Sequence, residues 1–155
     1  MRLSNHGLSV TVGDGWDHRI FRRTPSLAEG ERTLPILHAS TRPLPADRGD
    51  FGSGVVDLLG AADIFISLVE FEPEHAGYGL YAARGMPRLA PSQFSPSRLQ
   101  RVFGDRSAAQ HFFTEGGRPF CLFVVLGSHA RRMAVVPRAA RKVNQLNVER
   151  GWSLM

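Results

Sequence analysis

The feature that most constrains the fold is a pair of apolar runs separated by two glycines, in residues 108–128 (AAQHFFTEGGRPFCLFVVLGS). Gly116-Gly117 accepts the positive φ angles of a two-residue turn, so the two runs are predicted to form an antiparallel β-hairpin. The second run, residues 120–126, is apolar at both odd and even positions. Because successive side chains of a strand point to opposite faces of its sheet, this strand has no face suited to water. We therefore expect a central strand with further layers packed on both faces of its sheet.

Length and composition indicate one globular domain. The chain has 155 residues, of which 43% are hydrophobic and 21% charged, and this is enough chain for a proper core. We assign residues 1–150 to a single α+β domain and residues 151–155 to a short C-terminal tail, in which Trp152 is expected to dock on the body of the protein. The one cysteine, Cys121, lies in the most apolar strand and is expected to be a buried, inert thiol.

Further strands are predicted at residues 8–12, 17–23, 34–41 and 64–71, from alternating or continuous apolar residues. A long loop over residues 42–54 leads into a short helix. A second helix is predicted from Ser95, the capping residue, to Gly104.

The last predicted element is a helix over residues 134–147. Apolar residues recur there at helical spacing, and Pro137, which is tolerated in the first turn, places the start near Val135. The predicted fold is thus an antiparallel β-sheet with helices on both faces.

The chain has a Gly-Leu-Ser-Val strand that leads to Gly15-Trp16, then several predicted antiparallel strands, a strongly apolar strand, and a C-terminal helix with Val-Asn-Gln-Leu at residues 143–146. This layout resembles the PsbP-like superfamily, whose members include the photosystem II extrinsic protein, a yeast Ran-binding import factor and bacterial lipoproteins. The chain also looks like uncharacterised actinobacterial proteins. The resemblance implies an αβα sandwich and a largely non-catalytic, protein-binding role, and it supplies no catalytic residues.

The charge pattern points to a basic surface at the C-terminal end. Residues 131–155 carry six cations and one acid, which accounts for the whole net charge of +5. The expected function is that of an adaptor that binds another protein, and that partner could be acidic. Nucleic acid is a less favoured partner. The contact surface is expected in the irregular segment of residues 72–91, in the loop of residues 42–54, or on the basic helix. The candidate contact residues are Arg131, Arg132, Arg138, Arg141, Lys142, Tyr78 and Tyr81.

Two alternatives stay open. The basic helix would also suit a polyanion. The one acidic cluster, Glu70, Glu72, Glu74 and His75, would suit a small enzyme with a carboxylate–histidine pair, or a cation site. No metal or cofactor is expected as a resident group. The first residues lack a signal-peptide pattern and no apolar run approaches the roughly 20 residues of a membrane helix, so a cytoplasmic location without a membrane span is expected.

Overall fold

A computed structural model describes residues 1–22, 34–99 and 104–151. Its helices and strands follow one another as β1 (Arg2–Asn5), β2 (Leu8–Thr11), β3 (Asp17–Arg22), β4 (Pro35–Ser40), β5 (Ile64–Glu70), β6 (Ser107–Glu115), β7 (Arg118–Leu126), α1 (Arg132–Val143) and β8 (Asn147–Val148). Single turns of 3-10 helix lie in the long connections at Val56–Leu58, Pro73–His75, Gly79–Tyr81, Pro91–Gln93 and Pro96–Arg98. The loop of residues 24–33 and Trp152 lie outside the described residues.

The strands form two antiparallel sheets, which confirms the α+β class. The large sheet has the order β3-β4-β5-β7-β6, and the small one has the order β1-β2-β8. Strand β1 was not predicted from the sequence, since only one of its four residues is apolar. It pairs with β2 through a tight turn at His6 and Gly7.

The predicted hairpin is confirmed. Strands β6 and β7 pair from Ser107 opposite Leu126 to Glu115 opposite Arg118, and Gly116 and Gly117 have φ angles of 60° and 75°. All nine residues of β7 are buried, and the strand lies between β5 and β6. Apolar residues on both parities therefore identified a strand covered on both faces.

The two faces of the large sheet are covered differently. One face packs against α1 and the small sheet, through residues such as Leu122, Val136 and Val143. The other face packs against the irregular residues 44–59 and Leu99, around Phe65 and Phe123. The prediction of helices on both faces is not confirmed, because α1 is the one α-helix among the described residues.

Two helix predictions need correction. Helix α1 begins at Arg132 and ends at Val143, so Pro137 lies in its second turn instead of its first. The carbonyl that Pro137 leaves without a donor belongs to Met133, a residue that is 71% exposed, so water can replace the lost bond. The start of the predicted helix from Ser95 is a single 3-10 turn: Ser95 Oγ accepts from Ser97 N as a cap should, but Leu99 is extended (φ −75°, ψ 153°). Residues 100–103 of this prediction lie outside the described residues.

Candidate functional site

The irregular segment of residues 72–91 is fastened to the outer edge of β6 by four hydrogen bonds at Thr114 and by one from Met86 N to Glu115 Oε2 (3.2 Å). The Thr114 hydroxyl accepts from Gly77 N (2.8 Å) and donates to Tyr81 O (2.7 Å). Its backbone N–H donates to Ala83 O (2.8 Å), and its carbonyl accepts from Gly85 N (2.9 Å). Four hydrogen bonds at a single buried residue, each contributing about 1 kcal/mol, fix both ends of the loop of residues 77–85.

Within this loop, Tyr81 is the anchor and Tyr78 is the exposed residue. Tyr81 is 8% exposed and packs against Phe71 and Phe112, with ring centroids 5.7 Å away in each case. Its burial, with a smaller contribution from Cys121, raises the pKa of the phenol. The sequence-based placement of Tyr81 on the contact surface is therefore wrong.

The tip of the loop presents two large apolar side chains to solvent. Tyr78 is 75% exposed and Leu80 is 62% exposed. They flank Gly79 in the 3-10 turn that Tyr81 completes. Tyr78 belonged to the predicted surface, whereas Leu80 did not, since an isolated leucine in an irregular segment carries no signal of its exposure.

The basic C-terminal surface is smaller than the sequence predicted. Arg131, Arg138 and Arg141 are exposed and Arg132 is half-buried. Lys142, in contrast, is 2% exposed, and its assignment to the contact surface is wrong. The exposed arginines of α1 thus form a solvated face, on which the Arg138 guanidinium lies 5.9 Å from the centre of the Trp16 ring.

Lys142 fastens α1 to the turn between β2 and β3. Its ammonium donates to Thr11 O (3.1 Å), to Asp14 Oδ2 (2.5 Å) and to His18 Nε2 (3.0 Å), so all three of its donors are used. Burial of the ring and the charge of Lys142 lower the pKa of His18, which keeps this imidazole neutral with its proton on Nδ1. Burial alone would raise the pKa of Asp14, but the hydrogen bond and charge of Lys142 outweigh it and the pKa falls.

Glu70 is held in a buried pair with Arg118, a residue that the sequence analysis did not single out. Arg118 Nε and Nη2 donate to the two carboxylate oxygens at 2.9 and 2.6 Å. The other guanidinium protons donate to the carbonyls of His6, Gly7 and Glu149, each at 3.1 Å. Arg118 therefore joins the end of β5 to the β1–β2 turn and to the chain that follows β8. It also lines a cleft of about 410 Å³.

The rest of the predicted acidic cluster lies beyond the end of β5. Glu74 and His75 are exposed in the 3-10 turn, Glu72 precedes it, and the His75 ring stacks on Tyr81 at 6.0 Å. Glu70 makes its bonds with Arg118, not with His75. Nowhere in residues 1–22, 34–99 and 104–151 do three or more His, Cys, Asp or Glu side chains meet in a group able to hold a metal ion.

A buried histidine holds the long loop of residues 42–54 against β4. His38 is fully buried, with Nδ1 accepting from Arg48 Nε (2.8 Å) and Nε2 bonded to Asp50 O (2.8 Å). Burial lowers the pKa of His38 to about 4, a hydrogen bond with Asp50 opposes this shift, and the charge of Arg48 adds to it. The imidazole is therefore neutral at pH 7, and its role is to latch the loop.

A comparison of the chain with protein-family models, with curated proteins and with solved structures returned no match. Among the described residues, no helix has the length and apolar character needed to cross a membrane.

Proposed function

We propose that this protein is a non-catalytic protein-binding module and that its principal contact surface is the Tyr78–Leu80 loop tip. The observation that carries the proposal is the exposure of two large apolar side chains on a loop whose ends are fixed by Thr114. An exposed tyrosine or leucine by itself needs no explanation, but a pair on a rigid projection is costly in water and useful to a partner.

Rigidity is what makes the pair effective. Association is opposed by the entropy lost when loops and side chains become ordered, so a loop that is already fixed loses less on binding. Tyrosine is among the residues that most often dominate the binding free energy of an interface, because it adds a large apolar area and a hydroxyl with few rotatable bonds. The loop tip is fixed at both ends before binding and carries an exposed tyrosine.

The internal use of the buried ionisable groups supports a non-catalytic function. Glu70 and Arg118 satisfy each other, Lys142 uses its three protons within the fold, and His38 latches a loop. A general acid or base needs an atom directed at a substrate. The carboxylate–histidine alternative at residues 70–75 is therefore less favoured than binding.

The superfamily, the cellular location and the class of partner are also proposals. We favour a PsbP-like relationship, supported by an antiparallel sheet with both faces covered and a helix that packs on it near the C-terminal end. A cytoplasmic location fits the single, fully buried cysteine. The partner is a protein, with an acidic one among the options because of the exposed arginines of α1, and nucleic acid is less favoured.

The test is affinity capture from the native host's lysate with the full chain as bait, at low and at high salt, quantified by mass spectrometry. Wild type is compared with Y78S/L80S and with the control L58S/M133S, which removes two other exposed apolar side chains, 49% and 71% exposed. We expect a partner that survives high salt, is retained by the control and falls by at least about tenfold with Y78S/L80S, as loss of a dominant contact predicts.

Equal capture by all three baits at high salt would contradict the proposal. So would recovery of only acidic proteins or nucleic acid that high salt removes, because this would transfer the function to the basic helix.

A further inference from the structure

The outer edge of the large sheet at β3 has backbone groups that point away from the sheet. The bond from Thr41 N to Ile64 O shows that the odd residues of β4 bond to β5. Its even residues therefore bond to β3, at His38 opposite Arg19 and at Ile36 opposite Phe21. In an edge strand of an antiparallel sheet, the residues between these hydrogen-bonded pairs direct their backbone N–H and C=O groups away from the sheet. In β3 these residues include His18 and Ile20.

Part of this edge has no partner among the described residues. Neither the N–H nor the C=O of Ile20 makes a hydrogen bond there, and the same holds for the N–H of His18. The His18 carbonyl accepts from the Arg19 side chain (2.9 Å). A row of outward donors and acceptors is a template for an additional strand.

An open groove lies beside the edge. It has a volume of about 700 Å³ and is formed by β3 and the loop of residues 46–50. Phe21 lines the groove, with the Arg48 guanidinium 5.1 Å from the ring centre. The charged residues that line it are Arg19, Arg22, Arg48, Asp47 and Asp50. Side chains of a strand added to β3 would alternately enter this groove.

The electrostatics of the groove favour an acidic occupant. Cations outnumber carboxylates in the lining. Burial lowers the pKa of the Arg48 guanidinium, the positive charge of Arg19 lowers it further, and Asp17 opposes both effects. The Arg19 side chain is 50% exposed although it contacts Asp17, so it can reach a second carboxylate. A second copy of β3 carries two arginines and one aspartate, so it matches this groove less well than an acidic segment does.

We propose that the β3 edge binds an extended segment of a partner protein, with acidic residues at alternate positions, as an added β-strand. Its backbone pairs with Ile20 and with the N–H of His18, and one of its carboxylates lies against Arg19 in the groove. This surface is distinct from the Tyr78–Leu80 loop tip, and either can fail without the other.

The probe is a synthetic peptide of about seven residues that alternates glutamate and valine, blocked at both ends, which spans the length of β3. Its affinity for the full chain is measured by isothermal titration calorimetry, and amide hydrogen exchange of the complex is followed by NMR. We expect the amides of Ile20 and His18 to exchange at least about tenfold more slowly in the complex. R19E should weaken binding by about tenfold, the effect of losing a charge-assisted contact.

Three controls separate strand addition from charge attraction alone. R141E reverses an exposed arginine on α1 and should bind the peptide as wild type does, as should Y78S/L80S. Two further peptides are N-methylated, one at its odd positions and the other at its even positions. Their affinities should differ, because only one of them loses the N–H donors that face β3.

The proposal is overturned if the amides of Ile20 and His18 keep their exchange rates when the peptide is bound. It is also overturned if both methylated peptides bind equally well, if R141E weakens binding as much as R19E does, or if the peptide does not bind.

Discussion

Replacing Arg118 with methionine is expected to lower the free energy of unfolding by about 3–5 kcal/mol, because it leaves a buried carboxylate without its partner. Arg118 is 9% exposed and Glu70 is 6% exposed, so water cannot fully solvate the glutamate that remains. Methionine retains much of the apolar volume of the arginine stem, so the loss comes mainly from the guanidinium.

The double variant E70L/R118M tests the magnitude. With both charges absent, no buried ion is left unpaired, and the expected loss is only about 1–2 kcal/mol. This remainder reflects the carbonyls of His6, Gly7 and Glu149, which lose a donor but border the cleft of about 410 Å³, where water can reach them. E70L alone should be about as harmful as R118M, since it leaves the guanidinium buried.

The assay is equilibrium unfolding in urea, followed by circular dichroism, with R141M as a control at an exposed arginine. For a chain of this length, each kcal/mol corresponds to roughly 2–4 °C in Tm, so R118M should melt about 10 °C below wild type. R141M should stay within about 0.5 kcal/mol of wild type. The reasoning is refuted if R118M costs less than about 1 kcal/mol, or if the double variant is as unstable as the sum of the two single variants.

Three further predictions concern Lys142, His38 and Gly127. Lys142 is the chain's only lysine, and its full burial predicts that an amine-acylating reagent leaves it unmodified in native protein and modifies it in urea. Peptide mapping by mass spectrometry measures this, and modification in the native protein would contradict the buried placement of Lys142. Burial lowers the pKa of His38 from 6.5 to about 4, so between these pH values the folded state binds fewer protons than the unfolded state. His38 therefore contributes stability above pH 6.5, and about 3 kcal/mol of it is lost as the pH falls toward 4. Urea unfolding at several pH values should show that H38N lacks this part of the dependence of the unfolding free energy on pH, and an unchanged dependence would refute the assignment. A Cβ atom on Gly127 would lie 1.7 Å from Gly60 O, so G127A should lose at least about 3 kcal/mol, and a thermal melt within 2 °C of wild type, using roughly 2–4 °C per kcal/mol, would show that the two backbones do not approach so closely.

Local patterns were sufficient to predict the elements of the large sheet. The Gly116-Gly117 turn, the doubly apolar β7 and the strand β5 all follow from periodicity and turn chemistry, which act over a few residues. Strand β1 escaped prediction because its four residues carry little apolar signal, and what holds it is pairing with β2. The 3-10 turn at Pro96–Arg98 had a helix start signal, but the next residue, Leu99, is extended and does not continue the turn.

The candidate surfaces depended much more on tertiary structure. Tyr78 and Tyr81 lie three residues apart in a segment without periodicity, and only the aromatic cluster around Phe112 decides which of them is buried. Lys142 lies on the buried stripe of α1 with Val135 and Ala139. From its charge, the Lys142 side chain was predicted to be exposed. Its burial is possible because Asp14 and His18 pack against the helix and accept hydrogen bonds from its ammonium group.

The sequence by itself determined the α+β class, the central hairpin and the presence of layers on both faces of the large sheet, because these follow from which residues avoid water and where the backbone turns. Tertiary structure decided that Glu70 meets Arg118, that His38 latches a loop, and that β3 has outward-facing backbone groups beside a basic groove. These depend on strand order and register, which bring together residues many positions apart. No local pattern encodes that order, since it is chosen by the burial of the chain as a whole.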